Sequence, residues 1–271
     1  MRHILFAAAA VSAAACTPRN IGMTNADSTI IASKASAVAN AGYATIPADG
    51  AAAMSTGPQV IVTVMYNQPK DAAAFEAYFP GHLKLVGENQ KEIGFTKAEL
   101  TKFTTTLDGK PSPFHRQAEL YFPSMDAAKK GIASAGFKKV GDDLANFATG
   151  GLLALVAEET GNASETACPA IVTVIYETPK DAAAFEAYFL GHVKLVGDKQ
   201  AEIGFTRADL TKFVSALDGS AAPKYRQAEL CFPSVEARTK GLATPGFAAV
   251  SGDLANFATG GLAALLGEAT N

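Results

Sequence analysis

A repeat with a period of 110 residues constrains this chain more than any other feature of its sequence. Three segments recur at that offset: DAAAFEAYF at 71–79 and 181–189, RQAEL at 116–120 and 226–230, and DLANFATGGL at 143–152 and 253–262. No gap is needed, and about 65 of the 99 aligned pairs between 60–158 and 170–268 are identical. Because this period is too long for a solenoid repeat, each copy is expected to be a domain with its own core. We predict one domain at 58–160, called copy one, and another at 168–271, called copy two.

The first 57 residues lie outside the repeat. Residues 1–15 combine a short basic start with an apolar run and small residues directly before Cys16. This pattern is typical of an export signal and is too short for a membrane-spanning helix. A cysteine after small residues also resembles the lipobox of bacterial lipoproteins, in which Cys16 would carry the lipid. We predict a periplasmic protein with a lipid anchor in the bacterial membrane; export without an anchor and a cytoplasmic location are the alternatives. The segment 16–57, rich in Ala, Ser and Thr, predicts a flexible tether.

Each copy shows strand and helix patterns in the order β-α-β-β-α-β. In copy one the predicted elements are a strand at Val60–Tyr66, a helix after Asp71, strands at Phe95–Leu107 and Arg116–Phe122, a helix from Ser124 to about Ser134, a loop with Asn146 and Phe147, and a strand at Leu152–Val156. The strands are rich in β-branched and apolar residues, and Asp71 and Ser124 are favourable helix caps. This order predicts the ferredoxin-like split βαβ unit, an α+β fold.

The motifs of both copies resemble the EthD-domain family. In copy one they are VTVMY, FEAYF followed by His82, TLDG, RQAELYFPS and DLANFATGG, in that order. The resemblance implies the dimeric α+β barrel superfamily, in which two ferredoxin-like units pack sheet to sheet around a central barrel. Because this chain carries both units, we expect a monomer that forms an intramolecular pseudo-dimeric barrel.

The third strand predicts which side chains meet inside such a barrel. Residues 116–122 alternate between a mainly apolar set, expected to face the helices, and a polar set. The polar residues Gln117 and Glu119 would then meet Gln227 and Glu229 of copy two. Buried there, these four side chains need hydrogen-bond partners. They either pair across the domain interface or line the barrel mouth, or else they contact a ligand.

His82 and His192 are the candidate catalytic residues, because imidazole acts as an acid or a base near neutral pH. Each is expected near the end of the first helix of its copy. The family resemblance implies that this His faces a cavity, whereas a His bonded to one backbone acceptor at a helix end would be structural. The aromatic candidates for the same ligand site are Tyr66, Tyr78 and Phe147 and their copy-two equivalents Tyr176, Tyr188 and Phe257. Packing in the core is the alternative for each of them.

Two cysteines belong to copy two alone. Cys168 precedes its first strand and Cys231 lies near the end of its third, whereas copy one has Pro58 and Tyr121 there. In the implied fold these strands are antiparallel neighbours, so we predict a Cys168–Cys231 disulfide, with two separate buried thiols as the alternative. No metal site and no cofactor are predicted, because the His residues lack ligand spacing to Cys or carboxylate groups.

Together these features predict a protein that binds a small apolar organic molecule in a barrel cavity, where a His transfers a proton without a cofactor. A non-catalytic accessory or ligand-carrier lipoprotein of the cell envelope is the alternative, so the sequence leaves open whether the protein is an enzyme. The net charge of −3 argues against binding of nucleic acid, which requires a basic surface. The expected partners are the ligand and, through the lipid anchor alone, the membrane.

Overall fold

The two copies fold with the same order of elements. The computed structural model describes residues 59–160 and 168–270; the predicted export signal at 1–15, Cys16 and the tether at 16–57 lie outside the described residues. Copy one contains β1 (Val60–Asn67), α1 (Ala72–Ile93), β2 (Lys97–Thr106), β3 (Phe114–Phe122), α2 (Met125–Ile132), α3 (Ala135–Asp143), a 3₁₀ turn (Leu144–Asn146) and β4 (Leu152–Glu159). Copy two contains β5 (Ala170–Tyr176), α4 (Ala182–Asp198), α5 (Gln200–Ile203), β6 (Arg207–Ala216), β7 (Arg226–Phe232), α6 (Val235–Leu242), α7 (Pro245–Asp253), a 3₁₀ turn (Leu254–Asn256) and β8 (Leu262–Ala269). Within these ranges no helix is both long enough and apolar enough to cross a membrane.

Local sequence signals determine where the first helix of each copy begins and ends. The Asp71 carboxylate accepts a hydrogen bond from the backbone of Ala74 at 2.9 Å, and Asp181 accepts one from Ala184 at 2.9 Å. Such bonds satisfy amide groups that have no partner within the first turn of a helix. In copy one α1 ends at Gly94, where a φ of 83° produces the left-handed cap that glycine favours.

The eight strands form one closed antiparallel barrel in the order β1-β3-β2-β8-β5-β7-β6-β4. Within each copy the order, β4-β1-β3-β2 or β8-β5-β7-β6, is that of a ferredoxin-like sheet. The copies join where β2 pairs with β8 and β4 pairs with β6. At these joints the amide of Leu107 donates to the carbonyl of Ala264 at 2.8 Å, and that of Leu217 donates to Ala154 at 2.9 Å. The predicted α+β barrel is confirmed, and its closure leaves no sheet edge unpaired.

Each strand presents one face to the helices and the other to the barrel interior. Val62 and Leu120 belong to the core on the helix side together with Phe75 of α1. Ile61 and Tyr121, their immediate neighbours in sequence, pack inside the barrel. The alternation predicted for the third strand is therefore confirmed, since successive side chains of a strand point to opposite faces.

Two local predictions are wrong. The segment 135–143, predicted as part of a loop, is helix α3, because Ser134 caps it and Phe137 and Val140 are fully buried. The glycines and charged residues of this segment interrupt the apolar spacing of a helix, so its short apolar face does not stand out in the sequence. His82, predicted near the end of its helix, lies in the middle of α1, which continues through the exposed Pro80 to Ile93.

Candidate ligand site at His192

Copy two contains a cavity of about 630 Å³ between its helices and the outer face of its sheet. The apolar lining residues include Val172, Val174, Phe189, Val196, Leu230 and Val250. The polar lining residues include His192, Tyr176, Gln200, Thr206 and Ser251. A volume of this size with mainly apolar walls and a few polar groups is typical of sites for small organic molecules.

The imidazole of His192 is fixed by a carboxylate from the end of α7. Its Nδ1 lies 2.8 Å from Oδ2 of Asp253. The other carboxylate oxygen, Oδ1, accepts hydrogen bonds from the hydroxyl of Tyr188 at 2.7 Å and from the side-chain amide of Asn256 at 2.9 Å. Because Asp253 occupies Nδ1 as an acceptor, the neutral ring carries its proton there and has Nε2 free to accept one.

The same contacts keep Asp253 ionised. The hydrogen bond from His192, followed by those from Tyr188 and Asn256, holds the pKa of the Asp253 carboxyl below its usual range. A carboxylate placed behind an imidazole sets its tautomer and stabilises the imidazolium that forms when Nε2 takes a proton. Chemically, this cluster can therefore accept and return a proton at the wall of the cavity. Within 59–160 and 168–270, no group of three or more His, Cys, Asp or Glu side chains could hold a metal ion.

The fold assembles this cluster from two distant segments. Tyr188 and His192 lie one helical turn apart on α4, so they share a face. Asp253, Asn256 and Phe257 come from the end of α7 and the 3₁₀ turn that follows it, and the Phe257 ring lies 4.8 Å from that of His192. Sequence reasoning missed the Asp and Asn. One sequence feature could have revealed them. The segment DLANF is identical in the two copies, and its Asp and Asn are polar residues beside a turn, where packing alone does not require an unchanged residue.

Copy one repeats the cluster around a more deeply buried His. Nδ1 of His82 lies 2.6 Å from Asp143, but the His82 side chain is fully buried and its Nε2 has no hydrogen-bond partner. Burial lowers the pKa of His82 to about 4, against the opposing effect of Asp143. Val86, Leu120 and Val140 of the same copy are completely buried in one core cluster. Their copy-two equivalents, which are Val196, Leu230 and Val250, line the cavity instead.

The predicted aromatic residues fall into four environments. Tyr176 lines the cavity together with His192. Tyr66 is fully buried in the core, with its ring 5.6 Å from that of Phe75. Tyr78 and Tyr188 are about 40% exposed and bind the Asp carboxylates through their hydroxyl groups. Phe147 and Phe257 pack against the rings of His82 and His192.

The four polar candidates of the third strands lie elsewhere, inside the barrel. Nε2 of Gln117 donates to Glu229 at 3.1 Å, and Nε2 of Gln227 donates to Glu119 at 3.0 Å. These contacts pair the two copies, which is one of the three roles considered from the sequence. The expectation that His82 or His192 shares a barrel cavity with them is wrong, because the helices carry both His side chains to the opposite face of the sheet.

Cys168 and Cys231 are joined by a disulfide, with their Cα atoms 5.0 Å apart. Their strands are neighbours, since Ile171 of β5 pairs with Cys231 of β7. The bond therefore ties the residues just before β5 to the far end of β7. Copy one has Tyr121 at the second position, and its hydroxyl donates to Glu99 at 2.8 Å.

Comparison with known proteins assigns the family. The sequence pattern of the EthD domain matches residues 67–151. A Rhodococcus erythropolis protein, described as an uncharacterized 11.0 kDa protein in the thcB-thcC intergenic region, is 35% identical over 99 residues, which cover 36% of this chain and 92% of that protein. The chain belongs to the EthD family.

Two solved structures resemble different lengths of this EthD protein. The crystal structure of an EthD family protein from Bacillus halodurans C-125 is 25% identical, with a TM-score of 0.33, and covers 39% of this chain and 99% of that one. An anthrone oxidase-like protein is 13% identical with a TM-score of 0.51 and covers 79% of this chain and 92% of that one. At that identity the second likeness concerns the fold alone, and it extends over both copies.

Proposed function

We propose that copy two binds a small, mainly apolar organic molecule with one hydrogen-bonding group, and that His192 transfers a proton to and from that group without a cofactor. The observation that carries the proposal is the coincidence of two features: a mainly apolar cavity of about 630 Å³, and an imidazole at its wall that is held by a carboxylate. Most of the affinity would come from burial of the ligand's apolar surface against residues such as Phe189 and Leu230.

The proton transfer uses groups that are already in position. Nε2 of His192 takes a proton from the ligand, and the resulting imidazolium is stabilised by Asp253 through Nδ1. Tyr188 and Asn256 hold the carboxylate, so it needs no rearrangement when the charge forms. Nε2 then returns a proton to the ligand, which leaves His192 in its starting state. A positioned acid or base of this kind typically accelerates a reaction by about 10²–10⁴-fold.

One observation favours a second candidate, a non-catalytic ligand carrier. Copy one has the same His82–Asp143 contact in a packed core. There the contact can only stabilise the fold, so its counterpart in copy two could have the same role beside a binding cavity.

A cavity-filling variant tests ligand binding. Ser251→Phe places an aromatic ring in the cavity, whereas Ala249→Phe places one on the exposed face of the same helix and is the matched control. With 2-naphthol as a probe, we expect saturable binding to the native chain and the control, and roughly tenfold weaker binding to Ser251→Phe, equivalent to about 1.4 kcal/mol. Equal binding by both variants, or none by the native chain, would contradict a ligand site in this cavity.

The choice between catalyst and carrier needs the natural ligand, which native mass spectrometry can detect on protein purified from its source. Incubation of that complex in D₂O should add deuterium at a carbon atom of the ligand if His192 exchanges protons with it, whereas O–H and N–H hydrogens exchange without an enzyme and are not counted. His192→Gln should then slow the incorporation while the ligand stays bound. Retention of the ligand with no deuterium uptake by the native chain would favour the carrier.

We further propose that the protein acts as an exported monomer, held at the membrane through Cys16. The signal-like residues 1–15 support export, and a Cys168–Cys231 disulfide fits an oxidising compartment. A barrel completed within one chain fits a monomer, because both halves are already present.

A further inference from the structure

The centre of the barrel holds two carboxyl groups, one from each copy. Glu119 of β3 and Glu229 of β7 are 3% and 4% exposed. In the strand register Glu119 lies opposite Thr63, and Glu229 lies opposite Thr173. The hydroxyl of Thr173 donates to Glu229 at 2.8 Å. Both carboxyl groups are thus enclosed by strands on either side.

The cations of the interior are engaged by other acids. Nζ of Lys97 lies 2.8 Å from Glu99, and Nε of Arg207 lies 2.7 Å from Asp209. Arg207 also reaches Glu99, at 3.3 Å. Glu159, at the end of β4, adds a further buried acid. The acids facing the interior therefore outnumber the Lys and Arg side chains there among the described residues.

Among the described residues, the hydrogen bonds to the two central acids come from neutral donors alone. Gln117 donates to Glu229, Gln227 donates to Glu119, and Thr173 adds the third contact. An ionised carboxylate buried without a cation is strongly unfavourable. Ionisation of both groups would also set two like charges against each other across the copies.

The glutamine amides leave two buried oxygen atoms without a hydrogen-bond donor. Each Gln donates through Nε2 to a Glu of the other copy, but Oε1 of Gln117 and Oε1 of Gln227 are buried and have no hydrogen-bond partner. A carboxylate can only accept hydrogen bonds, whereas a protonated carboxyl group donates one. Two protonated carboxyl groups would supply two donors beside the two amide oxygens that lack them.

We propose that the closed barrel keeps Glu119 and Glu229 protonated well above the pH at which an exposed Glu ionises, and that their ionisation weakens the contact between the two copies. The barrel would then act as a pH-sensitive clamp that is tightest in mildly acidic solution. Burial raises the pKa of both groups, with Glu229 adding to the effect on Glu119 and Asp209 to that on Glu229. This inference does not rest on the proposed ligand site: the two central acids lie inside the barrel and His192 lies on the helix side of the sheet, although Arg207 at the start of β6 also lines the cavity.

The direction of the effect follows from proton counting. At a pH above the ordinary pKa of Glu, the folded chain holds protons that the unfolded chain releases, so rising pH favours unfolding. The equilibrium constant for unfolding should rise by up to roughly tenfold per pH unit for each carboxyl group that is protonated only in the folded state. The effect ends once the groups are ionised in both states.

The double variant Glu119→Gln/Glu229→Gln tests the clamp in the full chain. A Gln amide can donate the same kind of hydrogen bond as a protonated carboxyl group but does not titrate. Between pH 6 and 9, urea unfolding should show a steep rise of the unfolding constant for the native chain and a flatter one for the variant. The control Glu88→Gln/Glu236→Gln changes two exposed acids, 54% and 76% exposed, and should keep the native slope. Equal slopes for the native chain and the central variant would overturn the proposal.

A measurement on the native chain remains decisive if the double variant fails to fold. Infrared absorption distinguishes the carbonyl band of a protonated carboxyl group from the bands of carboxylates. At pH 7 the native chain should show the protonated band, and raising the pH should remove it as the unfolding constant increases. A native chain without that band at pH 7 would also overturn the proposal.

Discussion

His82 should make the protein lose stability in acid. Its side chain is fully buried in α1, with Nδ1 bound to Asp143 and Nε2 without a hydrogen-bond partner. Burial lowers the pKa of His82 from 6.5 to about 4. The folded chain therefore keeps this ring neutral in a pH range where the unfolded chain protonates it.

The size of the effect follows from that difference in pKa. Each factor of ten in proton affinity corresponds to about 1.4 kcal/mol. The drop from 6.5 to about 4 thus contributes about 3 kcal/mol of stability, which is fully present above pH 6.5 and is lost as the pH falls through 4. That is a large part of the stability of an ordinary domain, which is roughly 5–15 kcal/mol.

His82→Gln removes the titration while retaining a side-chain amide that can donate to Asp143. Urea unfolding of both proteins at pH 7, 6, 5 and 4, followed by far-ultraviolet circular dichroism, measures the free energy of unfolding. We expect that of the native chain to fall by about 3 kcal/mol more than that of the variant between pH 7 and 4. Parallel pH profiles would refute the reasoning, because they would mean that His82 protonates equally in both states.

Two further predictions concern the cysteines. Replacing Cys168 and Cys231 by Ser, or reducing the native disulfide, removes a covalent link between residues 63 positions apart. Chain entropy alone predicts that the free energy of unfolding falls by about 4 kcal/mol. A fall of less than about 1 kcal/mol would show that the bond does not constrain the unfolded chain. Cys16→Ala should move the protein from the membrane fraction to the soluble periplasmic fraction, as measured by fractionation and immunoblotting, and unchanged membrane association would contradict a lipid anchor at this residue.

In the candidate site, the sequence predicted the His of the His–Asp pair but not the Asp. His192 was a candidate because its chemistry is conspicuous and it lies on a helix with aromatic neighbours. Asp253 was not, because it lies 61 positions away, and no local pattern relates two residues at that distance. The contact exists only because α7 and the turn after it pack beside α4, and α7 itself was expected to be a loop.

The sequence by itself determined the properties that depend on neighbours along the chain. The repeat established two copies of one domain, and the strand and helix periodicities established their order. The alternation of the third strand placed Gln117 and Glu119 on the face opposite the helices, because successive side chains of a strand point to opposite sides. The proximity of Cys168 and Cys231, by contrast, was implied by the family resemblance, because it depends on which strands are neighbours in the fold.

Tertiary structure alone decided where a ligand could bind. The copies share about 65 of 99 residues, yet Val250 lines a cavity whereas its equivalent Val140 is completely buried. A cavity depends on the distance between a helix layer and a sheet, which is set by the combined fit of many side chains rather than by any one of them. Periodicity specifies which residues face that layer, but only packing determines whether they meet or leave a space.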